Sequence, residues 1–348
     1  FIHVVASDGT MVFQDDHEPP GGTARWSGSV AYTRRVWLPK TLGDGQYRIE
    51  AGLYERSPDG KGWSNLTLLA GPGVKSRPDG HYEIGTFVVD HRAPMPRDSD
   101  RKPTLNLKGY RKTFDESFDG PLSVSARGPN GPRGTRWIAH KPDGQDFGDA
   151  RFVDPDGAVP FLVRDGALRI TASRDANGWR GGLLSTCDPQ GRGFAQTYGY
   201  FEMRARFPKG TGTWPAFWML QRDHLTRPDH PDVEIDVVEA YGHTPERVHT
   251  TLHLWRPEAS GGHVAWGDTF PVTDTTAGFH RYGVMWDART IAWSFDGVEL
   301  WRRPTPPEAN SPMYLLVNLA LGGGWPITET PNPSTMEVDY VRAYAKNH

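Results

Sequence analysis

The sequence predicts an all-β protein of two sandwich units, a small one followed by a large one. Short runs of alternating apolar and polar residues, closed by Gly, Pro or Asp, recur from Val30 onward, the pattern of sheets joined by tight turns. The 348 residues include 40 Gly and 30 Pro, a turn-rich composition without helical period, heptad or internal repeat. Between Asp90 and Pro103 the chain reads HRAPMPRDSDRKP, polar and Pro-rich with almost nothing to bury, as a linker does. The units are therefore expected at residues 1–93 and 104–348, with a linker at 94–103.

In chain order, VAYTRRVWL, GQYRIEAGLY and YEIGTFVV read as strands of a small immunoglobulin-like sandwich. Beyond the linker, ALRITAS, GYFEMRARF, VEIDVVEA, HTTLHLW, FHRYGVMW, TIAWSFDG and MEVDYVRAY are the strands of one large sandwich. A sandwich of that size offers an open sheet face across which a long polymer can lie. The 13 Trp, 12 Tyr and 15 Phe suit stacking on flat ligands.

Composition removes several function classes. A formal charge of −3 and scattered Lys and Arg give no basic field for nucleic acid. Cys187 is the single cysteine, so neither an intrachain disulfide nor a CxxC metal or redox pair exists, and a buried thiol is expected. The longest apolar run, MYLLVNLAL at 313–321, is well short of the roughly 20 residues that span a bilayer, and a soluble monomer is expected. The opening FIHVV lacks the make-up of a signal peptide, so a secreted or periplasmic location is read from function. His249 and His253 have the spacing of a zinc-protease helix but lack its glutamate, and no GxSxG elbow or phosphate-binding P-loop occurs.

The chemistry sits in Val233-Glu234-Ile235-Asp236-Val237-Val238-Glu239. Alternation on a strand puts Glu234 and Asp236 on one face and leaves Glu239 one residue out of phase. A β-bulge at Val237-Val238 would restore the phase. Cleavage of a glycosidic bond with retention needs two carboxyl groups about 5 to 5.5 Å apart, a nucleophile and an acid/base. Crowded acids cannot all ionise cheaply. The retained proton is assigned to Glu239 as acid, Glu234 stays ionised and attacks, and Asp236 hydrogen-bonds Glu234 between them. Upstream, Trp214, Ala216 and Trp218 share one strand face and form a candidate stacking platform for sugar rings.

GYFEMRARFPKGTGTWPAFWML, VEIDVVEAYG, HTTLHLW, FHRYGVMWDARTIAWSFDG and LLVNLALGGGWP, in this order, resemble glycoside hydrolase family 16. The resemblance covers roughly residues 104 to 346 and implies a concanavalin-like β-jelly roll with a concave cleft and endo-acting hydrolysis with retention. Glu234 matches the family nucleophile, Asp236 the assisting acid and Glu239 the acid/base. The six-residue EIDVVE form is similar to the bulged branch that includes laminarinases. Trp214 and Trp218 match cleft aromatics and His253 a histidine beside the acid/base; Asn318 and Trp325 complete the expected substrate-binding set. Glu116 and Asp339 resemble the region of a structural calcium, while the reaction itself needs no cofactor.

The expected partner is a polysaccharide, either a neutral β-1,3- or mixed-linkage glucan or a bacterial exopolysaccharide. Arg180, Arg192, Arg222 and Arg227 are candidates for meeting an acidic polymer. In the first unit, Trp26, Trp37, Tyr47 and Trp63 are candidate platform residues of a carbohydrate-binding module. Two alternatives stand beside the hydrolase: a transglycosylase of the same fold and a non-catalytic glucan-binding protein.

Overall fold

The computed structural model describes every residue except 18–22, 24, 25, 29, 31–37, 39–41, 58–61, 91–104, 127–133, 228–230, 257–261 and 348. The chain divides into two compact units, Phe1–Pro96 and Arg97–His348. Their boundary falls in the Pro-rich stretch, where the linker assigned to 94–103 lies outside the described residues.

The first unit contains β1 (Ile2–Ala6), β2 (Met11–Gln14), β3 (Gly45–Ala51), β4 (Tyr54–Arg56), β5 (Trp63–Asn65), β6 (Lys75–Ser76) and β7 (Tyr82–Val89). They form a five-stranded antiparallel sheet, β2-β1-β3-β7-β6, and a β4-β5 ribbon. Val4, Leu42 and Tyr47 make its core. Tyr47 is thus a packing residue, not a platform residue; its hydroxyl donates to the Gly43 carbonyl at 2.8 Å. Trp63 is 72% exposed. Trp37 and all but the ends of VAYTRRVWL lie outside the described residues.

The second unit runs β8 (Tyr110–Glu116), β9 (Val124–Ser125), β10 (Trp137–Ala139), β11 (Arg151–Phe152), β12 (Phe161–Arg164), β13 (Ala167–Asp175), β14 (Gly178–Ser185) and β15 (Gly199–Arg206). It continues through β16 (Thr213–Gln221), β17 (Asp232–Glu239), β18 (Arg247–Trp255), β19 (His263–Pro271), β20 (His280–Trp286), β21 (Thr290–Phe295), β22 (Val298–Pro304), β23 (Met313–Leu321) and β24 (Ser334–Lys346).

One antiparallel sheet has the order β14-β23-β16-β17-β18-β19. The other has the order β13-β24-β15-β20-β21-β22, with β8 beside the second half of β24. The β13–β14 hairpin carries the ladder from one sheet to the other, giving a nearly closed β-jelly roll.

Alternation sorts the side chains. From the first sheet, Phe217, Met219, Val233, Ile235, Leu252, Leu254, Leu315 and Val317 face the core between the sheets, where they meet Phe201, Met203, Val284, Trp286 and Trp293 of the second. Each such side chain contributes about 1.5–3 kcal/mol by leaving water. The run MYLLVNLAL is buried at all nine positions, because its other face carries Tyr314, Leu316 and Ala320 into a second cluster with Leu183, Trp218 and Leu220. An apolar run without alternation therefore marks a central strand covered on both faces.

Candidate active site

The site is built on β17. Glu234 lies opposite Leu220 of β16 and His253 of β18, and Asp236 opposite Trp218 and Thr251. The register then slips on both sides, so that Glu239 lies opposite Ala216 and His249. Val237 and Val238 together occupy the space of one residue, and both point into the core, 2% and 1% exposed. This is the expected bulge, and it returns Glu239 to the face of Glu234 and Asp236.

Two tryptophans of the facing sheet hold the bulge from behind. Trp293 Nε1 donates to the Asp236 carbonyl at 2.8 Å, and Trp301 Nε1 donates to Thr250 Oγ1 at 2.5 Å. The two indoles stack at 4.6 Å and 16°. A bulge interrupts the ladder, and a buried carbonyl left there without a partner is costly. Trp293 removes that cost through the core.

Glu234, Asp236 and Glu239 line a cavity of about 180 Å³ with Lys141, Phe147, Trp214, Ala216, Trp218 and Asn318. Trp214 Nε1 donates to Glu239 Oε1 at 2.9 Å. Trp218 is buried, 5% exposed, and its Nε1 donates to Asn318 Oδ1 at 2.7 Å. Asn318 itself is wholly buried, so it fixes Trp218 and reaches the cavity from the floor. Phe147 packs edge-on against both indoles, at 5.4 and 5.7 Å. Trp325 stands farther out, 46% exposed, against Tyr241 and His243; Tyr241 stacks in turn on Trp214.

The GGGW turn follows from this packing. Gly323 has φ +63°, and a Cβ there would meet the Trp214 ring at 2.8 Å. A side chain at Gly322 would run into Asp149 Oδ2 at 2.3 Å.

Burial raises the pKa of all three acids. Asp236 is pushed well up by desolvation and then by the Glu239 charge. Glu234 is pushed well up by desolvation and then by Asp236, with His253 and Lys141 pulling the other way. Glu239 is raised by desolvation and eased downward by the Trp214 bond and by His253. Asp236 is the least solvated of the three, 4% exposed, and hydrogen bonding with Glu234 eases its value back down. The upward shift is therefore not confined to Glu239, because burial acts along the whole row.

His253 Nε2 lies 3.1 Å from Asp236 Oδ2. Among the described residues, Glu234, Asp236 and His253 are the group of His, Cys, Asp or Glu whose ligand atoms come within 4.8 Å of one another. His249 turns away to Thr269 Oγ1 at 2.9 Å, which ends the zinc-like spacing.

Glu116 accepts from Phe118 N and from Trp137 Nε1, each at 3.2 Å, and Asp339 accepts from Arg204 Nη1 at 2.5 Å. Both carboxylates are engaged by nitrogen donors and do not fit a cation that takes about six to eight oxygen ligands. Arg180, Arg192, Arg222 and Arg227 are matched by Asp175, Asp188 and Asp223, so the cleft offers no unmatched cation from this set to an acidic polymer. Cys187 is buried as expected and pushed up to about 12 by desolvation. It lines a larger cavity of about 650 Å³ with Arg136 and Arg192, which contains none of the three acids.

Sequence reasoning missed Lys141, Phe147, Asp232, Tyr241, Trp255 and His263. Lys141 and Phe147 come from the loop after β10 and carry no periodic signal. Asp232 and Trp255 were legible by alternation, two positions from Glu234 and His253, whereas His263 stands on another strand, across from Trp255.

Residues 162–342 match the sequence model of Glycosyl hydrolases family 16. An endo-1,3-1,4-beta-glycanase of Rhizobium meliloti is 43% identical over 199 residues, 54% of this chain and 40% of that protein. A glucan endo-1,3-beta-glucosidase of Niallia circulans is 35% identical over 298 residues, 74% of this chain and 42% of that protein. The chain thus spans about two fifths of the length of these relatives. The laminarinase catalytic domain of Thermotoga maritima superposes with a TM-score of 0.53 at 26% identity, covering 68% of this chain and 98% of that domain.

Proposed function

The chain belongs to glycosyl hydrolase family 16, and on that footing we propose that it is a retaining endo-β-glycosidase of an extended, neutral β-linked glucan. The observation that carries this is the bulge of β17, which places Glu234, Asp236 and Glu239 in one row on the floor of a cavity walled by Trp214, Trp218 and Phe147.

Glu234 attacks the anomeric carbon while Glu239 passes its proton to the departing oxygen, giving a glycosyl ester on Glu234. Asp236 assists from beside Glu234, and His253 and Lys141 favour the ionised Glu234 before attack. Glu239, now ionised and held by the Trp214 indole, takes a proton from water as it cleaves the ester. The indoles and Phe147 offer faces to the C–H groups of the sugar rings. β-1,3- or mixed 1,3-1,4-linked glucan is the preferred substrate, in keeping with the activities named for the relatives, and a bacterial exopolysaccharide is the alternative. Such polymers lie outside the cytoplasm, and the proposed place of action is there.

The test is a panel of laminarin, mixed-linkage glucan, agarose, carrageenan and bacterial exopolysaccharides, with products sized by mass spectrometry. Oligosaccharides from laminarin or mixed-linkage glucan are expected, with turnover by Glu234→Gln lower by more than about 10³-fold. Near-normal turnover by Glu234→Gln would overturn the assignment of the nucleophile. Products longer than the substrate would replace hydrolysis by transglycosylation.

A further inference from the structure

The acid row is one end of a longer line of close polar contacts. His253 presents Nε2 to Asp236 Oδ2 at 3.1 Å and Nδ1 to His263 Nε2 at 2.9 Å. His263 sits on β19 directly across from Trp255 and stacks on that indole at 3.6 Å and 11°. His253 lies within 14° of parallel to both rings. The stack fixes the plane of His263, so its ring edge is aimed at His253.

Proton placement along this line is constrained. Asp236 Oδ2 is a carboxylate oxygen facing His253 Nε2 at 3.1 Å, and a carboxylate oxygen takes a donor. A neutral His253 that donates from Nε2 has a bare Nδ1. Only a donor can face that nitrogen, and the atom there is His263 Nε2. With the opposite tautomer, His253 would offer a bare Nε2 to Asp236 Oδ2, so that two acceptors would face each other. Asp236 would then lose a donor that favours its ionised form, and the proton affinity of the acid row would rise.

We propose that His263 is a positioning residue of the active site, holding His253 in the Nε2–H tautomer and so presenting a donor to Asp236 beside Glu234. This rests on the reading of Glu234 as nucleophile. The titratable groups facing His253 are Glu234, Asp236 and Glu239 from β17 and His263 from β19, with Lys141 acting on Glu234 from the β10 side.

Two variants separate ring packing from hydrogen bonding. His263→Phe keeps a ring against Trp255 and loses the donor, whereas His263→Gln keeps an N–H donor and loses the ring. Imidazole ¹⁵N NMR on the full chain reads the tautomer of His253 independently of turnover, and kcat, KM and pH profiles are measured on laminarin and mixed-linkage glucan. The wild type is expected to show His253 protonated at Nε2. His263→Phe should mix the tautomers, lower kcat by roughly five- to tenfold with KM unchanged, and move the acid limb to higher pH. His263→Gln should recover most of kcat.

A wild-type His253 protonated at Nδ1, or a His263→Phe variant with unaltered tautomer, kcat and acid limb, overturns the proposal. Should no polysaccharide be cut while the tautomer responds as stated, the placement of His263 is supported and the hydrolase reading fails.

Discussion

Replacing Trp293 by Phe tests whether the bulge that aims Glu239 is held from the opposite sheet. The indole is wholly buried, donates to the Asp236 carbonyl at 2.8 Å and stacks on Trp301. Phe keeps part of the stack but leaves that carbonyl without its donor, at a cost of about 1–3 kcal/mol. The smaller ring leaves unfilled space, which adds about 1 kcal/mol. A loss of about 2–4 kcal/mol is expected, which lowers the melting temperature of the second unit by roughly 4–16 °C. Because the carbonyl belongs to the residue at which the register slips, the loosened bulge should also lower kcat, through Glu239, more than it changes KM. Urea unfolding followed by near-ultraviolet circular dichroism, with kcat and KM on the glucan that is cut, measures both. Stability within 0.5 kcal/mol of wild type and unchanged kcat would refute the linkage.

Two further perturbations have a defined sign. Trp214→Phe deletes the 2.9 Å bond to Glu239, which favours the ionised carboxylate; without it Glu239 holds its proton to higher pH, so the alkaline limb of kcat/KM against pH should move upward while turnover at the optimum falls less than about tenfold. A stationary or downward limb would count against Glu239 as general acid. Asp232 is raised from 3.8 to about 6, chiefly by desolvation, and its Oδ1 is buried without a hydrogen-bond partner. The raised value gives stability that is complete below pH 4 and lost as pH rises through 6, so Asp232→Asn should match wild type at pH 4 and be more stable at pH 7 by about 1–2 kcal/mol. Equal unfolding free energies at pH 7 would refute this.

Much of the fold is legible because each strand of the second unit is half-buried or fully buried, and burial imprints a period on the residues. YEIGTFVV and VEIDVVEA coincide almost residue for residue with β7 and β17. The bulge was legible too: a third carboxyl one residue out of phase, after two adjacent valines, has a simple geometric remedy. Asn318 and Trp218 were recognisable as site residues, but not as partners, since they lie 100 positions apart in the chain.

By itself the sequence determined the strands, the face on which Glu234 and Asp236 lie, and the need for a bulge before Glu239, since all three follow from local alternation. Only the tertiary structure decided which acid of the row is most desolvated and what holds the bulge. Asp236 is the most desolvated acid of the row, flanked by β16 and β18. His263 reaches the acid row only through His253, and Trp293 pins Asp236 from 57 residues away across the core. Desolvation and contacts between sheets are properties of the packed interior, and a local period does not encode them.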